Sequence, residues 1–182
     1  MYVETNGVGH AFITVGEGKN TVVYTYGRYL GGDKGKSSGN STDPSGRGVM
    51  LKLTGADAQQ YINHEKKDLK ATAYIIKDAN ETKVKEHADK IFESGRNLTT
   101  TEANSYDKNQ KKYGTSSDAK VVDQYSLLGN NCTTKSIESV KAGDTSLNFK
   151  ESTIAPLPNV RSVETPVFAP VDLKKYLNGK TK

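Results

Sequence analysis

The chain contains one cysteine, Cys132, and its neighbours are the polar residues of the run Asn130-Asn131-Cys132-Thr133-Thr134. A cysteine attacks as its thiolate, and the positive end of a helix lowers the pKa of a thiol placed there. Asn131 is a good N-cap, so we expect a helix from Cys132 to Lys141 that closes at Gly143. A single cysteine is more often a small buried hydrophobic residue, but this polar run does not match a core environment. The pattern predicts that Cys132 is a nucleophile at a helix N-terminus, where backbone amides could hold an oxyanion.

A cysteine nucleophile needs a general base, and His10 is the best candidate among the three histidines. The segment from His10 to Val15 has the pattern of a strand, and two glycines shortly before it leave room for a substrate at the mouth of a sheet. His64 and His87 lie in charged helical segments, which is typical of solvated side chains. The alternative for His10 is an exposed histidine at a strand end.

A third polar group should orient the imidazole ring, and the next strand, from Thr21 to Tyr26, is expected to supply it. A hairpin turn centred near Gly18 places Tyr26 opposite His10, and a register shift of two residues would place Tyr24 there. We favour Tyr26 over Tyr24. The alternative is that both are aromatic strand residues with surface hydroxyls.

The 182 residues suit one domain with a modest core, and the mixture of strand and helix patterns predicts an α+β fold. Further strands are predicted at 49–53 and 71–77, and further helices at 55–69, 81–95 and 171–177, while a short apolar piece at 121–128 leads into the cysteine motif. Three segments have the composition of poorly packed chain: a long polar loop at 27–48, a polar insertion or surface helix at 96–117, and a proline-containing tail at 152–182.

The net charge of +5 comes from 26 Lys and Arg spread along the chain, which favours an anionic environment such as nucleic acid, an acidic membrane face or a cell wall. The alternative is an ordinary solvated surface. One cysteine excludes an internal disulfide, and the three histidines lack zinc-ligand spacing, so we expect no metal and no cofactor. We expect neither a Sec-type signal nor a transmembrane segment, because the apolar runs are too short.

Three short motifs resemble the circularly permuted NlpC-type branch of the papain-like cysteine peptidases, in which the histidine strand precedes the cysteine helix. They are Gly9-His10-Ala11-Phe12-Ile13, Tyr24-Thr25-Tyr26-Gly27 and Asn131-Cys132-Thr133-Thr134. The branch also includes relatives of lecithin-retinol acyltransferase and a bacterial lipoprotein acyltransferase family. The resemblance implies a single papain-like catalytic domain over 1–182, with a small antiparallel sheet packed against helices. Many relatives use His, Asn or Gln as the third residue, whereas this chain offers only tyrosines or Thr25 at the expected place.

The resemblance also implies an activity, namely hydrolysis of an amide in peptidoglycan stem peptides by a cysteine peptidase or amidase. Several such domains are antibacterial toxins that are secreted or delivered into a target cell, for example as type VI secretion effectors, and act in the periplasm. An immunity protein and a component of the secretion apparatus are then the expected partners. Two alternatives stay open: acyl transfer or hydrolysis directed at a lipid, and a non-enzymatic basic binding module. No arginine-rich or aromatic-spaced run supports specific binding of nucleic acid.

Overall fold

Alternating apolar residues near the start of the chain form the centre of an antiparallel sheet. The computed structural model describes residues 1–30, 45–110, 113–126, 129–153 and 163–180. Its main sheet has seven strands in the order β5-β1-β2-β3-β4-β7-β6. In chain order they are β1 Tyr2–Glu4, β2 His10–Val15, β3 Val22–Gly27, β4 Ser45–Leu53, β5 Thr72–Ala73, β6 Arg96–Asn97 and β7 Ala119–Ser126. A separate antiparallel pair is formed by β8 Lys150–Thr153 and β9 Val163–Pro166.

Helices cover both faces of the main sheet, so the fold is α+β, as predicted. They are α1 Gly55–Lys67, α2 Glu81–Ser94, α3 Thr100–Gln110, α4 Cys132–Lys141 and α5 Pro170–Lys180. The period-two alternation of the strands divides the core between the faces. Helices α2, α4 and α5 pack with Ala11, Ile13 and the tyrosines of β3, whereas α1 and α3 pack with Phe12 and Val23. None of the described helices has the length and apolar character that crossing a membrane requires.

The helices with clear sequence signals begin where predicted. Helix α4 begins at Cys132 after the N-cap Asn131, and α2 begins at Glu81 after the N-cap Asn80, which confirms both starts. The strand predicted at 71–77 is wrong in length, because only Thr72–Ala73 pairs in the sheet. Strand β4 begins at Ser45, four residues earlier than predicted, and residues 31–44 of the predicted polar loop lie outside the described residues.

The polar segment at 96–117 is better packed than predicted. It contains β6 and α3, and Tyr106 of α3 is fully buried. The carboxylate of Glu102 is also buried, and it accepts hydrogen bonds from Arg47 of β4 at 2.5 Å and from Arg96 of β6 at 2.7 and 2.9 Å. Because these two arginines lie on different strands, Glu102 fixes the polar helix to the sheet edge.

Candidate active site

The start of α4 holds Cys132 in a fixed position. The side chain of Asn131 accepts a hydrogen bond from the backbone amide of Thr134 at 3.0 Å, and the Thr134 hydroxyl accepts one from the backbone amide of Asn131 at 2.9 Å. This reciprocal capping box satisfies two backbone donors that a helix start otherwise leaves free. The side-chain amide of Asn131 also donates to the carbonyl of Phe168 at 2.9 Å, which attaches the residues before α5 to the same helix start.

Cys132 is buried, with 5% of its surface exposed. Burial raises the pKa of Cys132, because a thiolate loses solvation there. The backbone amides of Ala11, Thr133 and Cys132 act in the opposite direction on this pKa, because they stabilise the negative charge of a thiolate. Ala11 belongs to β2, so the sulfur lies where the helix start meets the beginning of the histidine strand.

His10, the first residue of β2, is half-buried and anchored through one ring nitrogen. Its Nε2 lies 2.7 Å from the Thr25 hydroxyl and 3.5 Å from the Tyr29 hydroxyl, and its ring stacks on Phe12 with 6.1 Å between the centroids. Burial lowers the pKa of His10 to about 4, so the imidazole is neutral near pH 7. No hydrogen bond joins this ring to the thiol in the described residues, and Nδ1 is the ring atom that Thr25 leaves free.

The predicted hairpin register is wrong by one residue. Phe12 pairs with Thr25 and Ile13 with Tyr24, so paired residue numbers add up to 37 instead of 36. The turn contains a 3₁₀ segment, Gly18–Asn20, and the connection is centred between residues 18 and 19. A shift of one residue turns each side chain to the other face of the sheet, so Thr25 faces His10 where Tyr26 was expected.

Tyr24 and Tyr26 instead lie on the opposite face of the sheet, and neither contacts His10. The hydroxyl of Tyr24 donates to Asp89 of α2 at 2.6 Å, and that of Tyr26 donates to Asp123 of β7 at 2.5 Å. Burial and the acceptor carboxylate raise the pKa of both tyrosines. In this arrangement neither hydroxyl is placed to orient the imidazole of His10, the role predicted for both tyrosines.

Tyr26 nevertheless belongs to the surroundings of Cys132. A thiolate at Cys132 would raise the pKa of Tyr26 and of Tyr125, whose rings stack with 5.6 Å between the centroids, and burial already raises the pKa of Tyr125 to about 12. Asp123 accepts from Lys135 of α4 at 3.1 Å. This contact connects the tyrosine wall, formed by Tyr26, Tyr125 and Asp123, to the cysteine helix. The tyrosine wall requires a glycine at position 48, because a Cβ there would lie 2.0 Å from the Tyr26 hydroxyl oxygen.

The hydroxyls of Thr25, Tyr29 and Tyr61 lie together behind His10. Thr25 is 1% exposed, and its hydroxyl lies 2.7 Å from the Tyr29 hydroxyl and 3.0 Å from that of Tyr61 on α1. Thr25 lies inside the motif Tyr24-Thr25-Tyr26-Gly27, but only the correct register identifies it as the residue that faces His10. Tyr29 follows β3 and Tyr61 is far away in sequence, so no spacing in the sequence connects either of them to His10.

No protein-family profile, curated protein or solved structure matches the chain. In the part of the chain that the structure describes, no three His, Cys, Asp or Glu side chains are grouped closely enough to hold a metal ion.

Proposed function

We propose that the protein is a cysteine hydrolase, an amidase or peptidase, with Cys132 as nucleophile and His10 as general base. The observation that carries this proposal is the position of the thiol, on the first residue of α4 and beside the backbone of Ala11, the residue after His10. The order of histidine strand and cysteine helix, together with an antiparallel sheet packed on helices, supports a permuted papain-like fold of the NlpC type.

The proposed reaction begins from a neutral pair, because burial lowers the pKa of His10 and raises that of Cys132. Nδ1 of His10 takes the thiol proton as the sulfur attacks the substrate carbonyl, and amides at the start of α4 stabilise the oxyanion. The imidazolium then gives its proton to the leaving amine, and water hydrolyses the acyl-enzyme with His10 again as base.

The proposed substrate is a peptide amide of bacterial peptidoglycan. The positive net charge of the chain favours an anionic polymer such as a cell wall, and the motif resemblance indicates the same substrate class. On this proposal the protein is an antibacterial toxin that is secreted or delivered to the periplasm of a target cell. An immunity protein that covers the site and a component of the secretion apparatus are its proposed partners.

The first experiment compares Cys132→Ala and His10→Ala with the wild type on purified peptidoglycan. We expect each variant to lose at least about a thousandfold in rate, because nucleophile and base act as a unit. Mass spectrometry of the released fragments measures the rate and identifies the cleaved bond. Ser136→Ala, on the same helix, and His87→Ala, whose ring lies 3.3 Å from the exposed Glu138, are the matched controls and should keep wild-type activity. Full activity in folded Cys132→Ala protein would exclude the proposal.

One observation favours a second candidate, a hydrolase or acyltransferase that acts on a lipid acyl group. Val8, Phe168 and Val171 are 68%, 42% and 61% exposed, and they lie beside the site. The Phe168 carbonyl accepts a hydrogen bond from Asn131, and Gly9 lies so close to Pro170 that an added Cβ would be 2.9 Å from it. The segments that contain Val8, Phe168 and Val171 are therefore neighbours. Release of labelled fatty acid from phospholipid vesicles, absent in Cys132→Ala, would favour this candidate over peptide hydrolysis.

A further inference from the structure

A buried carboxyl group lies behind His10, and the proposed reaction does not use it. Glu65 of α1 is 5% exposed, and its Oε2 has no hydrogen-bond partner among the described residues. Burying a carboxyl group is costly unless it has a partner, so this residue requires an explanation. Tyr61 lies one helical turn earlier, and its hydroxyl stabilises the charged form of Glu65 by hydrogen bonding.

Hydroxyl groups connect this carboxyl group to the imidazole. From Tyr61, one helical turn before Glu65 on α1, the contacts run 3.0 Å to the Thr25 hydroxyl and then 2.7 Å to Nε2 of His10. The Tyr29 hydroxyl lies 2.7 Å from Thr25 as a side branch. Thr25 and Glu65 are each at most 5% exposed, so water competes little for their hydrogen bonds.

The carboxylate of Glu65 determines the direction of the hydrogen bonds that lead from it to His10. An ionised carboxylate only accepts, so Tyr61 must donate its hydroxyl proton to Glu65. Tyr61 can then accept from Thr25, and Thr25, whose single proton is used, must accept from Nε2–H of His10. Tyr29 donates to the second lone pair of Thr25. This assignment gives every hydroxyl proton an acceptor and leaves Nδ1 without a proton.

We propose that Glu65 is a positioning residue that fixes the tautomer of His10. Its carboxylate directs the hydrogen bonds through Tyr61 and Thr25 so that His10 carries its proton on Nε2 and presents Nδ1 as the base for Cys132. The catalytic consequence depends on the proposed function, whereas the tautomer of His10 is a property of the folded protein.

The surroundings of Glu65 make its ionisation, and with it the tautomer of His10, depend on pH. Burial, with a smaller contribution from the nearby carboxyl of Glu4 on β1, raises the pKa of Glu65 to about 7. The Tyr61 hydroxyl and His64 act in the opposite direction, and Lys174 of α5 lowers the pKa of Glu4. The charge of Glu65 in turn raises the pKa of Tyr29, Tyr61 and Tyr113. Below about pH 7 a protonated Glu65 can donate as well as accept, and the direction of the chain is no longer imposed.

The test is nitrogen NMR of protein with ¹⁵N-labelled imidazole rings, which distinguishes Nε2–H from Nδ1–H. At pH 8 we expect wild-type His10 to show the Nε2–H tautomer, with a change centred near pH 7. We expect Glu65→Gln, whose amide both donates and accepts, to show a mixture of tautomers without that transition. Glu86→Gln, an exposed residue of α2, is the matched control and should behave as the wild type. A wild-type Nδ1–H tautomer, or an unchanged tautomer in folded Glu65→Gln protein, would overturn the proposal.

Further variants separate this proposal from the function it serves. Thr25→Val breaks the chain next to His10 and should randomise the tautomer, whereas Thr25→Ser keeps the hydroxyl and should restore it, so the test stands even if Glu65→Gln does not fold. We expect kcat at pH 8 to fall about tenfold in Thr25→Val at an unchanged KM, and to recover in Thr25→Ser. A tautomer that depends on Glu65 in a protein without Cys132-dependent activity would refute only the proposed function. Activity with an unresponsive tautomer would refute only the role of Glu65.

Discussion

At the scale of single residues, the site is defined by two shifts of pKa in opposite directions. Burial raises the pKa of Cys132 and lowers that of His10 to about 4, so neither side chain is charged near pH 7. We therefore expect iodoacetamide to alkylate Cys132 slowly at pH 7, with a rate that rises only above the ordinary thiol range, near pH 8.5. Mass spectrometry of the labelled protein over pH 5–10 measures this, and protein unfolded in urea gives the reference midpoint. A midpoint below pH 7 would instead indicate a preformed ion pair with His10.

A second residue-scale prediction concerns the glycine beside the tyrosine wall. A Cβ at Gly48 would lie 2.0 Å from the Tyr26 hydroxyl oxygen and 2.5 Å from Oδ1 of Asp123, so Gly48→Ala must separate that hydrogen-bonded pair. We expect a loss of about 2 kcal/mol in the free energy of unfolding, typical of overpacking, measured by urea denaturation. Gly179→Ala, where no atom lies within 4 Å of the added Cβ, should change stability by less than about 0.5 kcal/mol. Equal stabilities of the two variants would contradict the packing argument.

At the scale of secondary structure elements, one carboxylate holds α3 against the sheet. Glu102 is buried between Arg47 and Arg96, and the hydrogen bonds from Arg96 hold its pKa well below the usual range. Since the substitution removes a buried carboxylate that accepts hydrogen bonds from two arginines, we expect Glu102→Ala to cost roughly 2–3 kcal/mol of unfolding free energy. Urea denaturation at pH 7 measures the loss. Glu93→Ala removes an exposed ion pair with Lys120 and should cost less than about 1 kcal/mol, so comparable losses would argue against this role of Glu102.

The elements also show which features a single sequence predicts well. The start of α4 could be predicted because Asn131 caps the helix through neighbouring residues, and the residue types alone singled out Cys132 and His10. The register of the β2–β3 hairpin could not be predicted, because it depends on the 3₁₀ geometry of its turn. A shift of one residue in this register decides whether Thr25 or Tyr26 faces His10. The packing of α3 depends on arginines from two separate strands, and such partners leave no signal in local composition.

At the scale of the whole molecule, His10 and Glu65 make stability depend on pH in opposite ways. The lowered pKa of His10 gives a contribution that is complete above about pH 6.5 and is lost as the pH falls through 4. The raised pKa of Glu65 gives a contribution that is complete below about pH 4.5 and is lost as the pH rises through 7. Between pH 4.5 and 6.5 the two slopes oppose each other, so their combined effect on wild-type stability is small.

Removing either group should therefore reveal the slope of the other. Relative to the wild type, we expect Glu65→Gln to gain stability as the pH rises from 4.5 to 7, and His10→Asn to gain stability as the pH falls from 6.5 to 4. Each difference should amount to about 3 kcal/mol at most, since one unit of pKa shift corresponds to about 1.4 kcal/mol. Urea denaturation of the three proteins at constant salt, in half-unit steps from pH 4 to 8, measures the differences, and groups common to all three cancel. Parallel stability curves would show that neither residue has the shifted pKa that its burial imposes.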